Sequence, residues 1–219
     1  MKVLAVDTAT SDLVVGVVDS ASGEVLGSAV SAATRGHNEQ LVPAIDDALD
    51  HAGLPMSDLE AIVVGYGPGP FTGLRVGMST AQALAQALQI PVHGVCTLDA
   101  LAQAATAEHV LVATDARRKE IYHATYQSGQ RIGGPAVCRP EDLELSPDVR
   151  EILIPSALGD RLPANHVDQR EVTLQPQWLV AVADLTADPQ PLRPAYLRRP
   201  DAVVPTRSPR SAAIPEVSL

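Results

Sequence analysis

Aromatic side chains make up only 3% of the 219 residues: one Phe, one Trp and four Tyr. That shortage removes the usual stacking platforms for single-stranded nucleic acid. It also leaves the core of a 46% hydrophobic chain to Ala, Val, Leu and Ile. Positive charge is scarce too, with 16 Lys and Arg against 26 Asp and Glu and a formal net charge of −10. A surface of that sign repels a polyanion, so the isolated chain is a poor binder of RNA or DNA. Two cysteines, Cys96 and Cys138, fit no CxxC metal spacing and are too few for a disulfide framework, which favours a reducing compartment. No uninterrupted apolar run approaches 18 residues, so no membrane span is expected. The opening MKVLAVDTATSD carries an acid at position 7 and does not read as a secretion signal. No GxSxG occurs, and Cys96 has no obvious base beside it, so nucleophilic catalysis finds no support.

The most informative segment present is Gly67-Pro-Gly-Pro-Phe-Thr-Gly73-Leu-Arg-Val-Gly77-Met-Ser-Thr-Ala81-Gln-Ala-Leu-Ala85. It follows the apolar run 61–65, read as a buried strand, and continues without a breaker to Pro91. Gly and Pro bend the chain sharply at its start. Beyond the bend, Gly73, Gly77, Ala81 and Ala85 recur at four-residue spacing, which puts them on one helical face open to close backbone approach. That face is expected to meet a helical partner. A phosphate-loop reading fails on the residues: Gly73 is followed by Leu74 and Arg75 rather than Lys and Ser or Thr, and the third glycine of GxGxxG falls at Thr72. Gly67 and Gly69 remain weak candidates for touching a phosphate through their backbone N–H groups.

The first strand-like run, Val3 to Asp7, ends in an acid; a small-residue turn and two further runs, Leu13 to Val18 and Val25 to Val30, complete an antiparallel meander. Leu111 to Asp115, then Ile121 to Tyr126, then Arg131 to Cys138 repeat it after 108 residues (115 − 7). A repeat of this length predicts duplication of a whole domain, not a solenoid. Between the meanders, 36–52 carries an apolar stripe of Leu41, Ile45, Ala48, Leu49 and Ala52, 72–89 reads as a helix capped by Thr72, and 98–107 reads as a third helix. Later, Pro140 is expected to open a helix, 152–155 reads as a strand, and 175–185 reads as a helix with Trp178, Leu179 and Val182 on one face. The expected division is a lobe at 1–107, a smaller lobe at 108–197, and an irregular tail at 198–219 rich in Pro, Ser and Arg.

LAVDTAT at the start, GPGPFTGLRVGMSTAQALA, the hairpin DARRKEIYHATY and the closing PLRPAYLRRP together resemble the TsaB (YeaZ) family of tRNA threonylcarbamoyladenosine biosynthesis proteins. His37-Asn-Glu-Gln-Leu41 followed by Val-Pro43 looks like that family's first helix. The resemblance implies an α/β, actin-like fold of two related lobes, the sugar-kinase and heat-shock-protein type, each a mixed sheet flanked by helices. It implies a non-catalytic subunit that dimerises with TsaD, the enzyme that attaches threonylcarbamoyl to N6 of adenosine 37 in tRNAs reading A-starting codons. The ATPase TsaE joins them, and tRNA is met only through the complex. TsaD carries a metal-binding histidine pair; Thr97 and Leu101 stand at the matching positions here, and neither suits a cation. No cofactor of the chain's own is expected, ATP and metal belonging to the partner subunits. The resemblance also implies a cytoplasmic protein, with a homodimer open to it when alone.

Asp7 and Asp115 end strands that face the presumed cleft, where related folds hold Mg²⁺ and phosphates; the plainer reading is that each caps its own turn. The run Arg117-Arg118-Lys119 is read as a solvated turn or as a contact to an acidic partner or tRNA phosphate. His37, near a helix start, is read as a cap or interface residue. The expected partner face joins Gly73, Gly77, Ala81 and Ala85 with the apolar Leu41, Ile45, Leu49, Leu74 and Met78, enough for a stable interface of about 1,600 Å². Two rivals are a small-molecule kinase or ATPase of the same fold, which needs Asp7 for turnover, and a metallopeptidase, which needs a bound metal.

Overall fold

The computed structural model describes residues 1–32, 36–116, 118–155, 158, 162 and 167–198. The chain opens with β1 (Lys2–Asp7), β2 (Leu13–Asp19) and β3 (Glu24–Ser31), paired antiparallel in sequence order. Helix α1 (His37–Ala52) leads to β4 (Ala61–Gly65), parallel to β1, and α2 (Phe71–Leu88) leads to β5 (Val92–Val95), parallel to β4. A short α3 (Thr97–Leu101) crosses to a second sheet made of β6 (His109–Ala116), β7 (Glu120–Gln127), β8 (Gln130–Cys138), β9 (Glu151–Ile154) and β10 (Asp168–Glu171), and α4 (Pro176–Ala181) follows.

The first sheet has the order β3-β2-β1-β4-β5, and the second, read from its other end, β8-β7-β6-β9-β10. The two orders are the same when each strand is advanced by five. The duplication expected from the two meanders is therefore present in the topology. Burial explains why β1, β2 and β4 read as unbroken apolar runs: Val3 to Val6 and Ala61 to Val64 are 0% exposed, because these strands are covered on both faces.

One apolar cluster lies between α1, α2 and the first sheet, with Leu41, Ile45, Leu74 and Ala81 packed on Leu4, Val6, Ile62 and Val64. A second joins the other face of that sheet (Val3, Ala5, Val14, Val63) to Val110, Val112, Ala124, Tyr126 and Leu153 of the second sheet, with α3 and α4 wedged in. The two sheets thus share one core. A third cluster covers the far face of the second sheet.

Several expected boundaries shift, each for a tertiary reason. The N-cap of α2 is Pro70, not Thr72, because the carbonyl of Pro70 already accepts from the N–H of Leu74 (3.0 Å). The third helix stops at Leu101, followed by a single tight turn at Ala102–Ala104, instead of reaching residue 107. The carboxylate of Glu151 accepts from the N–H groups of Thr106 (2.8 Å) and Ala107 (3.0 Å), which pulls the chain off the helical path. The helix expected over 175–185 ends at Ala181; Asp184 beyond it holds a turn by accepting from the N–H groups of Thr186 and Ala187. Leu179 is fully buried, and Trp178 and Val182 pack beside it, as their shared face predicts. Pro140 opens only a short 3-10 turn, Pro140–Asp142. The tail expected as irregular lies, except for Arg198, outside the described residues, as does Arg117.

Candidate functional site

The segment 65–77 meets the β1–β2 turn at backbone contact. Asp7, at the end of β1, is fully buried; one carboxyl oxygen accepts from the N–H of Ala9 (2.8 Å) and the other from the hydroxyl of Thr97 (2.6 Å). Burial pushes this carboxyl up to about 6, against the lowering effect of those donors. Gly65 faces the carboxyl and Gly69 faces the backbone of Ala9, so neither position has room for a side chain. Gly67 has φ +100°, a conformation that favours glycine. The three weak candidates for phosphate contact, Asp7, Gly67 and Gly69, therefore form a closed junction rather than an open cradle. Asp115, the counterpart of Asp7, is exposed.

The small-residue face of α2 is directed inward. A Cβ at Gly73 would strike the carbonyl of Thr8 and one at Gly77 its hydroxyl, and that hydroxyl donates to the carbonyl of Gly73 at 2.7 Å. Ala81 and Leu74 are 0% exposed, Ala85 4% and Met78 7%. Leu41, Ile45 and Leu49 of α1 are buried beside them. The surface expected from these residues is corrected accordingly: they close the lobe's own core, and the close approach they permit is that of the β1–β2 turn. His37 opens α1, but its side chain lies outside the described residues.

What α2 offers to solvent is its other side, with Thr72, Arg75, Ser79, Gln82, Ala83 and Gln86 exposed and Val76 half-buried. Arg75 is the only Asp, Glu, Lys or Arg between Glu60 and Asp99. The outer face of α1, packed against α2, carries Glu39, Asp46, Asp47 and Asp50 together with exposed Val42 and Pro43. At the start of α2, Phe71 stacks on Tyr196 with ring centroids 4.8 Å apart, and the guanidinium of Arg75 lies 4.0 Å above the Phe71 ring. The Nε of Arg75 donates to the Tyr196 hydroxyl at 3.2 Å. Tyr196 belongs to the strap 190–198, which is tied down by the N–H of Ala195 donating to Tyr66 O and by an Arg198–Glu120 ion pair (2.9 Å). A cavity of about 330 Å³ lies under the strap beside Tyr66, Gly94 and Leu192.

Where the two sheets meet, Asp99 accepts from the Tyr126 hydroxyl (2.8 Å) and from Arg131 (3.1 Å), and Glu151 pairs with Arg170 (2.7 Å). Burial works against the Glu151 carboxylate, but the N–H groups of Ala107 and Thr106 and the Arg170 guanidinium outweigh it and hold its pKa below the ordinary value. Burial pushes the Cys96 thiol up to about 11, leaving it protonated and unreactive at neutral pH. Thr97 and Leu101 are both buried, with the Thr97 hydroxyl engaged by Asp7. Among the described residues no cluster of His, Cys, Asp and Glu suits a metal ion. Arg118 and Lys119 are exposed in the β6–β7 turn with φ +65° and +62°.

Comparison with known proteins fits this geometry. The family model for TsaD, tRNA N6-adenosine threonylcarbamoyltransferase, matches residues 26–157. The solved structure of YeaZ from Pseudomonas aeruginosa is 33% identical and superposes with a TM-score of 0.69 over 82% of this chain and 89% of that one. The chain belongs to the TsaB (YeaZ) family. Its two mixed sheets flanked by helices are the actin-like architecture. An uncharacterized protein of Mycobacterium tuberculosis is 46% identical over 91% of this chain and 93% of its own length. The tRNA threonylcarbamoyladenosine biosynthesis protein TsaB of Escherichia coli is 37% identical over 58% of this chain and 55% of its own.

The aromatic–cation stack was missed by sequence reasoning. Nothing within PLRPAYLRRP places Tyr196 in space, and in the sequence Arg75 does no more than break a phosphate motif. Its isolation as the sole charge between residues 60 and 99 was the available signal.

Proposed function

We propose that this chain is a non-catalytic subunit of the machinery that installs threonylcarbamoyl on N6 of adenosine 37 of tRNA. In this reading the outer face of α2 holds a TsaD-like catalytic subunit in its active arrangement, and the joined pair helps to recruit a TsaE-like ATPase. The observation that carries the proposal is the exposed, nearly charge-free side of α2 in a chain of net charge −10. Depletion of charge is the mark of the core of a protein–protein interface. Membership of the TsaB family supplies the pathway, because relatives carry that biosynthetic name.

The interior argues in the same direction. A kinase or ATPase of this fold needs an acid open to a cleft, and Asp7 is enclosed by Ala9, Gly65 and Thr97. A metallopeptidase needs ligands where Thr97 and Leu101 stand. ATP and metal then belong to the partner subunits, tRNA is reached only in the complex, and the complex works in the cytoplasm.

The test is reconstitution with purified TsaD-like and TsaE-like subunits, ATP, threonylcarbamoyl-adenylate and tRNA, leaving out one protein at a time. Modification is expected to collapse without this chain. Equal modification in its absence defeats the proposal.

A further inference from the structure

Resting on that reading of α2, we infer that the exposed Phe71–Arg75–Tyr196 stack is an anchor of the partner interface, with Arg75 pairing to a carboxylate of the partner protein. The C-terminal strap, and not α2 alone, then forms part of the docking surface.

Area is the first argument. A helix of 18 residues is about 27 Å long and about 10 Å wide. Its outward face projects on the order of 300 Å², well short of the roughly 800 Å² that each partner gives to a stable interface. The surface must therefore extend beyond α2. The outer side of α1 is rich in carboxylates, which suits a rim better than a centre. The strap side instead carries Phe71 and Tyr196, 46% and 40% exposed, in a chain with six aromatic residues in all. Aromatic side chains and Arg are the types that dominate binding energy at interfaces.

Charge is the second argument. Among the described residues, no carboxylate pairs with Arg75; its partners are the Phe71 ring and the Tyr196 hydroxyl, which use Nε and one face of the guanidinium. The terminal N–H groups are placed to donate in a planar, bidentate pair to a carboxylate. Ring and hydroxyl hold the fork in place before binding, which lowers the entropy lost on docking. The chain's own charge of −10 favours a protein carboxylate set among uncharged groups over a polyphosphate as the occupant.

The experiment measures binding of the full chain to the purified TsaD-like subunit by calorimetry or interferometry at two salt concentrations, for wild type and for Tyr196→Ala, Arg75→Ala, Arg75→Lys and Ala83→Glu. Circular dichroism melts check that each variant is folded, and Arg75→Ala serves if Tyr196→Ala loosens the strap. Tyr196→Ala and Arg75→Ala are expected to raise Kd tenfold or more, and Arg75→Lys to recover only part of the loss. The salt dependence of the Arg75→Ala complex is expected to be shallower than that of wild type. If Ala83→Glu blocks binding while Tyr196→Ala and Arg75→Ala stay within twofold of wild type, the anchor is overturned and the α2 surface stands. If Ala83→Glu also leaves binding intact, the α2 reading falls and the anchor with it. Weakened binding with unchanged salt dependence overturns the carboxylate assignment. Retention of tRNA by the isolated chain that is lost on Arg75→Ala identifies an RNA contact instead and refutes the inference.

Discussion

Replacing Asp7 by Asn isolates the energetic consequence of burying an acid at the β1–β2 turn. Asn can still accept from the N–H of Ala9 through its oxygen, and its amide can donate to the Thr97 hydroxyl, so the junction of β1, the β4–α2 connection and α3 keeps its bonds. What disappears is the titration. Burial raises the Asp7 carboxyl from its ordinary 3.8 to about 6, so the folded chain binds this proton more tightly than the unfolded chain. The stabilisation from that tighter binding is complete below about pH 3.8 and is lost as the pH rises through about 6. At roughly 1.4 kcal/mol per pH unit, the loss amounts to about 3 kcal/mol. Wild type should therefore fall relative to Asp7→Asn by about that much between pH 4 and pH 7, and by nothing further above pH 7. Urea unfolding of both proteins across this range gives the difference directly. Groups that titrate the other way, Asp19 and Glu151, are common to both and cancel. A stability difference that stays constant from pH 4 to pH 7 refutes the assignment of a buried, destabilised carboxylate at position 7.

Gly73→Ala gains about 1 kcal/mol of helix propensity but drives a methyl into the Thr8 carbonyl, an overpacking that costs about 1–3 kcal/mol. The net loss of up to about 2 kcal/mol lowers Tm by up to about 8 °C by calorimetry, at about 2–4 °C per kcal/mol for a chain of this size, whereas a rise shows that α2 does not press on the turn. Ala83→Glu, on the outward face, should leave Tm within about 2 °C of wild type while abolishing co-elution with a TsaD-like subunit. Glu151→Gln should lower stability by about 2–4 kcal/mol, because it leaves Arg170 without its anion and weakens the hold on Thr106 and Ala107; a loss below 0.5 kcal/mol in urea unfolding counts against that junction. With Cys96 buried and its thiol pushed up to about 11, thiol titration of the native chain at pH 7.5 should modify Cys138 first and Cys96 only on unfolding; fast labelling of Cys96 contradicts its enclosure.

The meanders were legible because each has its own local signals: three short apolar runs broken by turns, and an acid at the end of the first strand repeated after 108 residues. Doubly covered strands such as Val3 to Val6 were equally plain, since burial on both faces leaves no polar alternation. The direction of the small-residue stripe on α2 was not legible. Four-residue spacing states that something approaches closely, and identifying it as Thr8 requires knowing that residues 65 positions apart meet. The end of α3 escaped for the same reason, the decisive partner of Thr106 being Glu151, 45 residues away. Tyr196 meets Arg75 across 121 residues, and no pattern within either segment announces it.

Helix α4 packs on β1 and β2, where a side chain at Gly16 would lie 2.6 Å from Pro176. The notch in the second strand is therefore filled by a residue made 160 positions later (176 − 16). On the ribosome, that notch must stay bare to water until residue 176 has emerged, long after the strand itself has paired. Nascent chains interrupted before residue 176 should be prey for chaperones and proteases, however well their first hundred residues pair.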